Sequence, residues 1–106
     1  MRRYIGMWDG VGNGEHVPKV LILDGRPDAE DQLEVPRVRA DRPGRWDLVG
    51  KQLAVELLAD ALGNPVVPTN LVDRFRFDVV ESLPERWEMG ADEVRDHAER
   101  LRMEVE

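Results

Sequence analysis

Hydrophobic and polar positions near the N-terminus read as strands, and from the middle of the chain onward they settle into helical spacing. Residues 3–7 and 17–23 read as strands. They are joined through Asp9-Gly10-Val11-Gly12-Asn13-Gly14, rich in residues that tolerate the positive φ of hairpin turns. Val20-Leu21-Ile22-Leu23 is a continuous apolar run and predicts a strand covered over part of both faces. Pro18 has no N–H for a ladder and belongs at the strand's start or on an edge, and Asp24-Gly25 turns the chain. From Arg26 to Arg45 the pattern is poor, and a structureless loop of that length is unusual in a compact domain. Leu33, Val35 and Val38, interrupted by Pro36, suit a short bulged edge strand.

The firmest element follows Trp46. Leu53, Ala54, Leu57, Leu58, Ala61 and Leu62 form a broad apolar stripe, with Gln52, Glu56 and Asp60 on the opposite side. Asp47 suits the N-cap, Gly63 the left-handed C-cap, and Asn64-Pro65 ends the helix. A second helix is expected from Thr69 or Asn70 to Ser82, stopped by Pro84, with Phe75, Val79 and Leu83 on one face and Thr69 in a capping role. Phe75 to Val79 also alternates like a strand, but the length and the proline stop favour helix. Trp87-Glu88-Met89 adds a short extended piece. A last helix then opens at Gly90, with Glu93 completing a weakened capping box, and carries Val94, Ala98, Leu101 and Val105 as its stripe. These elements predict one α+β domain over residues 1–106: a small N-terminal antiparallel sheet of two or three strands, two helices packed on one face, and a C-terminal helix completing the core.

Four segments in this order carry a family resemblance: Val20 to Gly25 (VLILDG), Gln52 to Gly63 (QLAVELLADALG), Phe75 to Trp87 (FRFDVVESLPERW) and Glu93-Val94. The chain resembles a small uncharacterised family, a domain of unknown function scattered among bacteria, archaea and phages. The resemblance spans most of the chain, the Gln-Leu-Ala helix being its most specific part. It implies an accessory role and brings no known activity. The chain departs from the family pattern between Ala40 and Lys51, where Trp46 and Gly50 alone remain of a turn that members fill with His-Ser and Gly-Ser-Gly-Pro.

Composition narrows the chemistry. The 106 residues, 42% of them hydrophobic, suffice for one domain burying roughly 65% of its unfolded surface. The net charge of −7 argues against a protein that coats nucleic acid through overall basicity. Residues 80–106 supply most of the excess, with nine acids against four arginines. Thirteen of the fifteen bases are Arg, which a GC-rich genome explains more simply than selection for guanidinium chemistry. With no Cys, disulfides, thiolate catalysis and Cys-based metal sites are excluded. No signal peptide or membrane span is visible, so a cytoplasmic location is expected.

Candidate sites are few. Ser82 and Thr69 are the only hydroxyl nucleophiles besides Tyr4, and neither has a His nearby in sequence. Glu93 and His97 stand four apart on the last helix, half of a metal site, but no second clustered pair accompanies them and no cofactor is expected. The glycines at 10, 12 and 14 lack the strand-to-helix junction and Gly-Lys-Ser/Thr of a phosphate loop. Trp8 and Trp87 read as core residues.

What remains is the arginine segment Arg37, Arg39, Arg42 and Arg45, ending at Trp46. Its guanidinium groups suit phosphates or carboxylates, and Trp46 suits stacking on a base. The plainer account is a solvated loop whose arginines neutralise Asp28, Glu30, Asp31 and Glu34, with Trp46 anchoring the loop to the first helix. The expected function is a non-enzymatic intracellular interaction protein, encoded by a phage or mobile element and acting on a host protein or complex. The rival is a nucleic-acid accessory protein working through Arg37 to Arg45. The sequence leaves the oligomeric state open.

Overall fold

The structure, a computed structural model, describes residues 2–24 and 31–105. Strands β1 (Arg3–Gly12) and β2 (Glu15–Leu23) form a long antiparallel hairpin. Its turn is Asn13-Gly14, with φ of 57° and 73°, the left-handed pair whose twist suits a two-residue hairpin loop. The ladder therefore runs on past Met7, and most of the glycine linker is strand, with a bulge between Gly10 and Gly12. β3 (Asp31–Gln32) pairs with β2, and β4 (Trp87–Gly90) pairs with β1. The result is one antiparallel sheet in the order β3-β2-β1-β4. It has four strands rather than two or three, because the short extended piece at Trp87 returns to the N-terminal strand.

After β3 the chain keeps beside β2 but bulges away from it. Leu33 N–H donates to Val20 O at 3.0 Å, and His16 and Ala40 exchange two hydrogen bonds at 2.8 and 2.9 Å. Between the Leu21–Gln32 and His16–Ala40 pairings lie seven residues of this segment against four of β2. Pro18 explains the bulge. It sits inside β2 rather than at its start, and its backbone faces the same side as Val20 and His16, where it has no N–H to offer. The expected bulged edge strand around Pro36 is thus realised as β3 plus this irregular run. The turn at Gly25 lies outside the described residues.

Alternation gives the sheet two unlike faces. Tyr4, Val20, Ile22, Trp87 and Met89 are buried on one side, in a single cluster with the helices. The run Val20 to Leu23 is fully covered on one side, at Val20 and Ile22, and only in part on the other, where Leu21 is partly buried and Leu23 is 37% exposed.

The first helix begins later than expected. Trp46–Val49 forms a 3-10 turn leading into α1 (Gly50–Leu62). Asp47 caps nothing, because its carboxylate is taken by the Arg45 guanidinium through two hydrogen bonds of 3.0 Å. Gly63 does close the helix in the left-handed conformation, φ 67° and ψ 27°. α2 (Thr69–Asp78) is shorter than its pattern and breaks at Val79 into a 3-10 turn, Val80–Ser82. Thr69 makes no capping hydrogen bond, since Pro68 occupies the cap. α3 (Ala91–Val105) keeps the back half of its capping box, with Gly90 N–H donating to Glu93 Oε1 at 3.4 Å. The stripes of α1, α2 and α3 meet in the core through Leu53, Leu57, Leu58, Phe75, Val94 and Ala98. The Val105 side chain lies outside the described residues.

Asp60 departs from the solvated face predicted for it. Arg2 grips its carboxylate bidentately at 2.6 and 2.8 Å, and the Tyr4 hydroxyl donates to it at 2.5 Å, tying β1 to the end of α1. Burial alone would raise the carboxyl, but the bonds from Arg2 and Tyr4 and the Arg2 charge outweigh it, so Asp60 ionises below its ordinary range. Burial first, and then Asp60, pushes the Tyr4 hydroxyl well above its ordinary value.

Because Asp60 ionises more readily folded than unfolded, its contribution is complete above the unfolded value of about 3.9. The contribution is lost as pH falls through the lower folded value. Asp60→Asn should cost about 1–2 kcal/mol at neutral pH and little near pH 2. Urea midpoints at the two pH values check this, and an equal loss at both would sink it.

Candidate functional site

The structure divides the arginine segment in two. Arg42 and Arg45 stand beside Asp47 at the start of α1, where Arg45 is tied to that carboxylate and both charges help hold its pKa down. Arg37 and Arg39 lie in the bulge alongside β2 and face the distal half of the hairpin. Trp46 is 1% exposed, and its indole N–H donates to Pro84 O at 2.8 Å. It anchors the segment to the core and offers no face to a base.

Trp46 is also the middle of a row of three tryptophans. Its ring centroid lies 5.2 Å from Trp8 and 5.7 Å from Trp87, both in inclined geometries that aromatic quadrupoles favour. The row welds the outer half of β1, the start of α1 and β4 together, and Trp8 and Trp87 serve the core as their sequence context suggested.

Arg37 and Arg39 meet a third cation that the linear pattern did not single out, Lys19 of β2. Together with Asp9, Val11, Val17, Pro18 and Gln32 they line an open groove of about 670 Å³. Its cations are loosely held. Lys19 Nζ stands 4.0 Å from Asp9, and Arg39 stands 3.8 Å from Glu15. Arg37 makes no ion pair among the described residues. Asp28 and Glu30, two of the acids expected to neutralise the segment, lie outside the described residues. Pairs so exposed and so long contribute little to stability and leave the cations free to bind elsewhere.

Smaller clefts lie elsewhere on the surface. One of about 360 Å³ at the start of α1 is lined by Pro36, Leu48, Lys51 and Arg76, and one of about 220 Å³ by Asp78, His97 and Arg100. His97 lies edge-on to Phe75, with its Nδ1 2.8 Å from Arg100 Nη2, while His16 pairs with Ala40 through its backbone. Glu93 reaches back to the Gly90 N–H. Among the described residues no three His, Cys, Asp or Glu side chains gather in metal-binding reach, and no helix is long and apolar enough to cross a membrane.

A four-stranded antiparallel sheet backed on one side by three helices, with a basic groove at the edge of its open side, makes this a small α+β domain. The chain belongs to DUF6166, a family of unknown function whose pattern matches residues 18–100. That match takes in β2 from Pro18 onward, the arginine segment and the helices as far as Arg100, and leaves β1 outside. No curated protein and no solved structure matches the chain.

Proposed function

We propose that this domain is a non-enzymatic interaction protein that grips an acidic stretch of a partner protein in the groove formed by Lys19, Arg37 and Arg39. The observation that carries this reading is the convergence of three loosely held cations on one groove of a chain whose net charge is −7. Val11, Val17 and Pro18 give the groove apolar footing, so a carboxylate-bearing segment with an aliphatic side chain suits it better than a free anion. Among the described residues that line it, the groove has one carboxylate, Asp9, and no Ser, Thr or His, which supports a binding role over a catalytic one.

The resemblance to a family scattered among bacteria, archaea and phages supports an origin in a phage or mobile element. On that basis the target is a host protein or complex in the cytoplasm. Nucleic acid is the lesser reading: the same cations suit phosphates, but the burial of Trp46 removes the aromatic on which a base would stack.

The deciding experiment is capture from a bacterial host lysate with tagged protein, with and without nuclease. A stoichiometric protein partner should survive nuclease and fall at least about tenfold with the double variant Arg37→Glu/Arg39→Glu. Arg42→Glu with Arg45→Glu should leave it in place. Retention by the first variant would remove the groove from the account, and loss with nuclease would move the reading to nucleic acid.

A further inference from the structure

The outward side of β1 has a charge order that complements itself when two copies are laid head to tail. On β1 the outward positions are Arg3, Ile5, Met7 and Asp9, and opposite them on β2 stand Leu23, Leu21, Lys19 and Val17. None of these apolar side chains packs into the core cluster, and all three helices lie on the other face. Ile5, Met7 and Leu21 are only partly buried, and Leu23 is 37% exposed.

We infer that this face is the contact surface of a symmetric homodimer. The ladder pairs Gly6 with Val20 midway along the patch. A two-fold axis in the contact plane, perpendicular to the strands and passing this pair, lays β1 antiparallel over the partner's β1. Arg3 then stands over the partner's Asp9, Ile5 over the partner's Met7, and Leu23 over the partner's Val17. Each copy repeats the same contacts in return, as a two-fold interface requires. Four charged groups of these strands, Arg3, Lys19, Asp9 and Glu88, balance; within the copy Arg3 is hydrogen-bonded to Glu88 at 2.7 Å, while Lys19 stands 4.0 Å from Asp9. Two chains that each carry −7 can meet on these balanced strands, flanked by the cations Arg37 and Arg39, without the repulsion met elsewhere.

Strands of ten and nine residues flanked by two short ones offer a face of roughly 30 by 15 Å. That is below the roughly 800 Å² per partner of a standard interface, so the dimer is reversible and concentration-dependent. It shares Asp9, Val17 and Lys19 with the acidic-partner groove but uses neither Arg37 nor Arg39, so substitutions at those two arginines tell the two readings apart.

Sedimentation velocity from about 1 μM to 1 mM, the span over which weak association is read, tests it with a charge swap. Wild type should pass from monomer towards dimer. Arg3→Asp sets two acids against each other and Asp9→Arg two bases, so each alone should dissociate at least tenfold more readily. An equimolar mixture of the two variants should recover wild-type association, since each then meets its opposite. Arg37→Glu with Arg39→Glu should dimerise as wild type. A wild type that stays monomeric, single variants that associate unchanged, or a mixture that stays monomeric would each overturn the dimer.

Discussion

Trp46→Ala is expected to lower the unfolding free energy by about 3–5 kcal/mol, the usual cost of truncating a large aromatic in a packed core. The side chain is 1% exposed and touches a tryptophan on each side, at centroid distances of 5.2 and 5.7 Å. Its loss opens a cavity between β1, β4 and the start of α1, and it also strips the Pro84 carbonyl of the indole N–H that satisfies it at 2.8 Å. A domain of this size has a total stability of about 5–15 kcal/mol, so the variant should populate unfolded chain under mild conditions. Urea unfolding followed by far-UV circular dichroism measures this. Arg45→Ala, one residue away but paired with exposed Asp47, should shift the free energy by no more than about 0.5 kcal/mol. If Trp46→Ala instead left the midpoint in place, Trp46 would have to be treated as a surface residue and restored to the binding account.

Gly6→Ala should be nearly as damaging although it adds a single methyl group. Gly6 stands directly opposite Trp87 in the β1–β4 ladder, and the indole lies across the place a side chain would take. A Cβ there would come within 2.2 Å of the indole Cε2 and Nε1. The tryptophan cannot swing aside, because it is 5% exposed and packed edge-on against Trp46. Overpacking of this kind costs about 1–3 kcal/mol and sometimes more, and the upper end is expected where a ring rather than a flexible chain must yield. The matched test is Gly6→Ala in a Trp87→Leu background. There the added methyl should cost less than in wild type by about 1 kcal/mol or more, the signature of direct coupling. Additive losses would show that Gly6 is needed for some reason other than the indole.

Gly6 was legible in the sequence as a point of close approach. A glycine inside a strand weakens it unless something approaches closely, and Tyr4, Gly6 and Trp8 alternate on the face turned to the core. The outward order Arg3, Ile5, Met7, Asp9 was equally open to reading, but a strand ended at Met7 stops short of the acid that completes it. The apolar stripe of α1 and its glycine stop were readable because spacing and capping act within a few residues. Asp47 failed as a cap because Arg45, two residues before it, competes for the same carboxylate, and a propensity rule carries no such competition.

The sequence by itself determined the class of the fold, a glycine-rich hairpin, the three helices and the structural role of the tryptophans, Trp46 and Trp87 in the core and Trp8 packed against it. Each of these follows from periodicity or turn chemistry over short stretches of chain, where the backbone's own geometry dictates which side chains share a face. Only the tertiary structure decided that β4 joins β1, that Asp60 is held by Arg2 and Tyr4, and that the four arginines part company, two of them meeting Lys19. Arg2 and Asp60 lie 58 residues apart, Trp46 and Pro84 lie 38 apart, and Arg3 and Glu88 lie 85 apart. Contacts at such separations form only after loops have closed and the register is set, and the energy that selects them comes from burying the shared core.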